Sequence, residues 1–167
     1  MEVRLVSRDL WGVFKHYHYL TTSLPNNSKC YVGFINQEPV CFISMGVFPH
    51  PTNKNLTKLN RIVVLPHWQG YGISRKMLDH IVGNYYKDRD VRLTTTLPIM
   101  QNSLWKNKNW GLRFQGIRKN SEAGKTAIKK GIANNNREVY LETYQFINDH
   151  YVDKVSRKNV PKGMERY

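Results

Sequence analysis

The stretch of this 167-residue chain best suited to chemistry is a tight glycine turn, Gln69-Gly70-Tyr71-Gly72-Ile73-Ser74. It follows an apolar run ending at Leu65 and Pro66, and a segment of helical periodicity begins where it ends. A turn of this kind leaves the first N–H groups of the helix unpaired, at the positive end of the helix dipole. Glycines keep Cβ atoms out of the way, so a phosphate can reach the backbone. The expectation is an anion site, most simply for a pyrophosphate. Two phosphate motifs fail. A dinucleotide fingerprint needs a third glycine where Arg75 stands, and Gly124-Lys125-Thr126 has Lys119 in place of the first Walker glycine.

Other reactive residue types offer less. Cys30 and Cys41 form no CxxC, so a disulfide framework is not expected. The six histidines, at 16, 18, 50, 67, 80 and 150, match no HExxH or zinc-finger spacing. No metal site is predicted.

The elements that must position the turn read as follows. Ser7 caps a helix from Arg8, and Leu10, Trp11, Phe14 and His18 recur with helical spacing to about Leu20. Thr21 to Lys29 is loop, and Cys30–Ile35 and Val40–Phe48 form a hairpin around Asn36-Gln37-Glu38. Leu59–Leu65 is a buried strand leading to the glycine turn. Ile73, Met77, Leu78, Ile81, Val82 and Tyr85 make one apolar face of the following helix. Val91–Leu97 is a strand, Pro98 opens a short helix to Trp105 or Lys108, and Leu112–Ile117 and Glu138–Phe146 are the last strands. The fold class is α/β (α+β): one domain, residues 1–148, with a mixed sheet of about six to seven strands flanked by helices. A basic loop, 119–137, separates the last two strands, and a basic tail occupies 149–167.

Gln69-x-x-Gly72-x-Ser74 resembles the Gln/Arg-x-x-Gly-x-Gly/Ala signature of the GNAT acyltransferases, with Ser74 replacing the last small residue. It stands in that family's fourth-strand slot, between a strand and an amphipathic helix. The run Asn102-Ser103-Leu104-Trp105, then Trp110-Gly111-Leu112-Arg113-Phe114, is loosely similar to the family's Asn-x-x-Ala … Tyr … Gly-Phe segment. The resemblance covers about residues 5 to 146. It implies acetyl-CoA as cosubstrate, held by Val63, Val64, Leu65, Gln69, Gly70, Tyr71, Gly72, Ile73, Ser74, Asn102 and Trp105. His18-Tyr19-Leu20 with Asn60–Pro66 is similar to a GNAT group common in phages and mobile elements. A fainter likeness links the pattern to Mom-type phage enzymes, which alter adenine in DNA.

The family reaction is direct attack of an amine on the acetyl thioester, and needs an oxyanion donor, a base and often an acid. A strand N–H within Asn60–Leu65 would polarise the carbonyl, as in the family. The family's usual base is a Glu near that strand, yet no Asp or Glu occurs from Pro39 to Leu78. The family's acid, a Tyr on the short helix, aligns with Trp105, whose indole is a poor proton donor. Four catalytic candidates remain. His18 is a base candidate because an unperturbed imidazole suits proton transfer near neutrality, though a histidine beside Trp11 and Phe14 also suits the core. Asn60 orients a water or substrate, or satisfies local backbone. Ser103 lies near the acid slot, or caps a helix. Glu142, on one strand face with Tyr140 and Tyr144, is a distal base or an exposed strand carboxylate. An amine of low pKa, such as an aminoacyl ester or an arylamine, would need little base.

Charge points to the acceptor. Lys and Arg number 26 against 12 Asp and Glu, a net +14, which favours polyanions such as DNA or tRNA, or an acidic protein surface. Nine of the basic residues fall between Lys106 and Arg137, near Trp105, Trp110 and Phe114. No apolar run approaches the ~18–20 residues of a membrane span, and residues 1–12 lack a secretory signal. A cytoplasmic monomer or homodimer is expected. A non-catalytic GNAT-fold module that binds nucleic acid or acts as an inhibitor is the alternative.

Overall fold

The structure, a computed structural model, describes residues 1–18, 23–118 and 139–148. The expected basic loop 119–137 and the tail 149–167 lie outside the described residues, as do Tyr19 and Leu20. Seven strands form one sheet: β1 (Glu2–Val6), β2 (Ser28–Ile35), β3 (Glu38–Val47), β4 (Leu56–Val64), β5 (Asp90–Thr95), β6 (Trp110–Arg118) and β7 (Val139–Phe146). Their order is β1-β2-β3-β4-β5-β7-β6, and β4–β5 is the parallel pair in an otherwise antiparallel sheet.

Helices cover both sides of the first half of this sheet. On one face, α2 (Ile73–Tyr85) sets Ile73, Met77, Leu78, Ile81 and Val82 against Tyr31, Cys41, Ile43 and Met45. The other face takes α1 (Trp11–Phe14), whose Trp11 and Phe14 pack on Cys30, Val32, Phe42 and Val63. Residues 40–46 of β3 are accordingly buried without alternation, the pattern of a strand covered on both sides. The last helix, α3 (Pro98–Trp105), adds Leu104 to the α2 side, joined there by Trp110, Leu112 and Tyr144.

Three expectations change. β1 is an added strand: its Glu2-Val3-Arg4-Leu5-Val6 run alternates, but as an edge strand it leaves Leu5 exposed, so its pattern is faint. The first helix is not continuous to Leu20. It is a turn of α-helix between two 3₁₀ turns, Arg8–Leu10 and Lys15–Tyr17, and His18 is extended. A short helix containing Gly12 has little stability of its own and persists only where Trp11 and Phe14 pack. Finally, Tyr86 rather than Tyr85 joins the core. Tyr86 leaves helical geometry at φ −136°, and its hydroxyl meets that of Tyr31 at 3.1 Å, while Tyr85 is half exposed over the Tyr31 ring.

Both thiols are free and buried, and burial pushes Cys41 up from 9.0 to about 12. The fold accommodates only the neutral thiol, so this contribution is intact below pH ~9 and lost as pH rises toward 12. The full difference is about 4 kcal/mol. Denaturation midpoints should therefore fall between pH 8 and 10.5, and Cys41→Ala should show a shallower fall over that interval than the parent.

Candidate functional site

The site begins with one extra residue in β4. Ser44 of β3 pairs with Arg61, but Met45 pairs with Leu59, so Asn60 bulges out of the ladder. The bulge turns Asn60 and Arg61 to the α1 face together and bends the strand. Beyond it β4 and β5 part: they pair only through Leu56–Lys58 with Asp90–Arg92. Between them opens a cleft of about 220 Å³, lined by Tyr17, His18, Leu59 to Val64, Gln69, Leu93, Thr94, Thr95, Leu97 and Met100.

Strand alternation fixes which backbone groups face this cleft. The Leu65 N–H donates to the Val40 carbonyl at 3.0 Å, so the odd-numbered residues of this stretch bond to β3. The peptide groups of Ile62 and Val64 therefore point toward the departed β5. Gln69 Nε2 donates to the Val64 carbonyl at 3.0 Å, which ties the glycine turn to the strand end. The Ile62 and Val64 N–H groups remain as donors aimed into the cleft.

At its mouth lies the turn itself. Gly70 and Gly72 have φ +87° and +71°, and a Cβ on either would meet nothing within 4 Å. Open space there is what an approaching anion requires. No side chain caps α2, and the first intrahelical bond runs from Lys76 N to the Gly72 carbonyl. The amides of Ile73, Ser74 and Arg75 thus face outward. The first turn also has no acid to complement the dipole, and Arg75 and Lys76 add positive charge. Tyr71, 71% exposed, stands clear of the turn. These features suit a ligand with a diphosphate head and a narrow arm lying along β4.

The opposite wall is secured by two arginines. Arg61 donates to the carbonyls of Asn60 at 2.7 Å and Ser23 at 2.9 Å, and Arg8 to those of Asn26 at 2.8 Å and Leu24 at 3.1 Å. Asn60 Nδ2 bonds Ser28 Oγ at 3.0 Å. Together they fasten the chain entering β2 beside the bulge.

The predicted catalytic residues separate. His18 and Asn60 both line the cleft, His18 with its ring edge-on to Trp11 at 5.8 Å. Ser103 is half-buried on α3, outside the lining. Glu142 is fully buried, not exposed, and its carboxylate accepts from Tyr144 Oη at 2.5 Å and Tyr140 Oη at 3.2 Å. Tyr144 Oη also lies 3.1 Å from the Gln101 carbonyl of α3, and burial raises its phenol's pKa. Of the cofactor candidates, Val63, Val64 and Gln69 line the cleft, Leu65 and Gly70 to Ser74 continue it, and Asn102 and Trp105 sit on α3 outside the lining. The remaining lining residues, Tyr17, Leu59, Arg61, Ile62, Leu93, Thr94, Thr95, Leu97 and Met100, are not among the predicted site residues. The polar pair Asn60-Arg61 inside an apolar strand was the available sign.

Residues 5–103 match the sequence model of the acetyltransferase (GNAT) family. The chain belongs to that family. Solved structures agree in fold at low identity. The ribosomal-protein-S18-alanine N-acetyltransferase of Escherichia coli superposes with TM-score 0.61 at 12% identity, covering 95% of this chain and 97% of that one. YncA of Salmonella typhimurium, solved with its cofactor acetyl-CoA, gives 0.62 at 14%, covering 89% and 94%. The ribosomal-protein-alanine N-acetyltransferase of Brucella melitensis gives 0.62 at 12%, covering 88% and 99%. Comparison with curated protein sequences gives no match. As a GNAT enzyme, the chain is an N-acetyltransferase.

The bulge depends on a close approach. A Cβ at Gly46 would lie 2.5 Å from Asn60 Nδ2. Gly46→Ala should displace Asn60, break its bond to Ser28 and cost about 1–3 kcal/mol. Equal denaturation midpoints for the variant and the parent would refute this.

Proposed function

We propose that this GNAT enzyme transfers an acetyl group from acetyl-CoA to an amine of a nucleic acid or a nucleic-acid-associated acceptor, such as a modified DNA base, an aminoacyl-tRNA or a protein bound to nucleic acid. The observation that carries the transfer is the parting of β4 from β5 beside an open glycine turn. Bound acetyl-CoA supplies the activated acyl thioester. The α2 amides and the Gly70–Gly72 turn hold its diphosphate, and β4 holds its arm. The Ile62 and Val64 N–H groups stabilise negative charge that develops on the carbonyl oxygen.

His18 serves as the base. It accepts the proton that the amine loses as the C–N bond forms and the C–S bond breaks, and CoA leaves as the thiolate, which takes a proton from solvent. Among the described residues no Asp or Glu lines the cleft, and Glu142 is sealed beneath α3, where we assign it to holding Tyr140 and Tyr144. Trp105 cannot protonate the leaving thiolate usefully. A site with one imidazole and no carboxylate suits an amine of low pKa, such as that of an aminoacyl ester.

The nucleic-acid acceptor rests on the net charge of +14 and on the likeness to Mom-type phage enzymes. Among the described residues no helix is long and apolar enough to cross a membrane, and we place the enzyme in the cytoplasm. The absent carboxylate and tyrosine also favour a second reading, a GNAT-fold module that binds nucleic acid without turnover. Labelled acetyl-CoA offered with DNA, tRNA, aminoacyl-tRNA and cell protein separates the two: label in a nucleic-acid fraction supports the enzyme, whereas salt-sensitive binding without label supports the module.

Two variants test the parts. Gly72→Asp puts a carboxylate at the diphosphate seat and should weaken acetyl-CoA binding at least 10-fold by calorimetry, with the fold intact; equal affinity would sink the assignment. His18→Ala should lower turnover about 10²-fold or more and remove the neutral-pH limb of the rate profile. An unchanged profile would take His18 out of the mechanism.

A further inference from the structure

The cleft opens onto a part of the sheet that no described helix covers. α1 protects its face of the sheet over β2, β3 and β4. The same face of β5, β7 and β6 carries a different set of side chains. Thr94, Thr143 and Phe114 stand in one cross-strand row, with the two threonine hydroxyls 3.0 Å apart. In the neighbouring row Arg92 pairs with Gln145, and Arg113, the extra residue of a bulge in β6, donates to Gln145 Oε1 at 2.5 Å. Thr94 belongs to both the row and the cleft lining, so the face continues the cleft.

Two features distinguish this face from an ordinary wet sheet surface. The first is an excess of positive charge. Arg92 is paired with Asp90, and Arg113 hydrogen-bonds the neutral Gln145 amide while sharing the charge of the same Asp90. Burial and then the charge of Arg92 lower its pKa, against the opposing pull of Asp90. Two guanidinium groups share one carboxylate, Arg92 is largely buried against it, and the exposed Arg113 is left to meet an anion; arginine suits phosphate. The second feature is Phe114, 53% exposed yet held in place. The tip of its ring reaches over Gly116, where an added Cβ would stand 3.2 Å from Cζ. Glycine leaves room for the ring in this position, and more than half of the residue remains exposed.

Arginine with hydroxyls for a sugar–phosphate chain, beside a preset aromatic ring for a base, is the arrangement that binds single strands. A duplex keeps its bases stacked and offers nothing to Phe114. An acidic protein segment would use Arg113 but has no need of the ring. We propose that the Thr94–Thr143–Phe114 and Arg92–Arg113 rows form a docking surface for single-stranded nucleic acid, which leads the acceptor amine into the cleft. This inference rests on the nucleic-acid reading of the acceptor.

The test uses the full chain and fluorescence anisotropy with three probes: a labelled single-stranded oligothymidylate, a DNA duplex of equal length and poly-glutamate. Phe114→Ala should weaken the single strand about 5- to 100-fold and leave the duplex unchanged. Arg113→Gln should reduce the slope of log affinity against log salt by about 0.7 for the single strand. Lys54→Gln, on the loop between β3 and β4, removes one charge elsewhere and should change neither. Acetyl-CoA binding and thermal midpoints report that the variants are folded. If the parent binds the single strand and both surface variants bind it equally well, the docking surface is wrong and the acceptor reading stands. If the parent binds no nucleic acid, the acceptor reading itself falls. Equal losses toward poly-glutamate would make the surface a protein site and overturn the proposal.

Discussion

One extra residue in β4 governs much of this molecule. A regular β4 would continue its ladder with β5 and leave no space between them. The Asn60 bulge ends that pairing after three residues and leaves the cleft-side peptide groups of Ile62 and Val64 without strand partners. A buried peptide group left unpaired costs about 1–3 kcal/mol, so the structure tolerates this only where something else can bond them. Gln69 supplies one partner, to the Val64 carbonyl. The N–H groups are left for a ligand. The requirement for pairing that normally closes a sheet here creates a binding site.

Holding two diverging strands apart needs ties that do not pass between them, and these are polar and directional. Arg8 and Arg61 fix the loop beside the bulge through backbone carbonyls. On the far side Asp79 of α2 accepts from Trp110 Nε1 and Asn107 Nδ2, both at 2.8 Å, which couples that helix to the start of β6. Glu142 with its two tyrosines joins β7 to α3 through Gln101. A carboxyl group at that depth is costly unless hydrogen bonds satisfy it. Two phenols contact its oxygens, and its full burial keeps it from solvent.

How much of this was legible depended on range. The glycine turn and α2 were readable because their physics is local: positive φ at Gly70 and Gly72, then a 3.6-residue apolar period. The strands from β2 onward were readable from apolar runs bounded by turn residues. β1 was not, because five residues at a sheet edge with Leu5 facing solvent carry almost no pattern. The end of the first helix was not, because packing of Trp11 and Phe14 on Phe42 decides it and helical spacing does not. In the site, Gln69 was legible as part of a motif, but Arg61 acts through the Ser23 carbonyl 38 residues away. Glu142 shows the same limit: alternation placed it correctly with Tyr140 and Tyr144, yet burial depends on α3, which alternation within β7 cannot report.

The distribution of acids then bears on acceptor chemistry. From Pro39 to Leu78 the chain has no carboxylate, and this stretch supplies β4, the glycine turn and the first turn of α2. The absence serves the cosubstrate, since a negative charge near the α2 amides would oppose a diphosphate. It also removes the local base that a strongly basic amine would need, because such an amine is almost wholly protonated near neutral pH. An amine of low pKa arrives already neutral and asks only that its proton be taken once the new bond forms. In the proposed mechanism the single imidazole of His18 takes that proton. Under the proposed mechanism, the same scarcity of acid that favours anion binding restricts acetylation to amines that need little base.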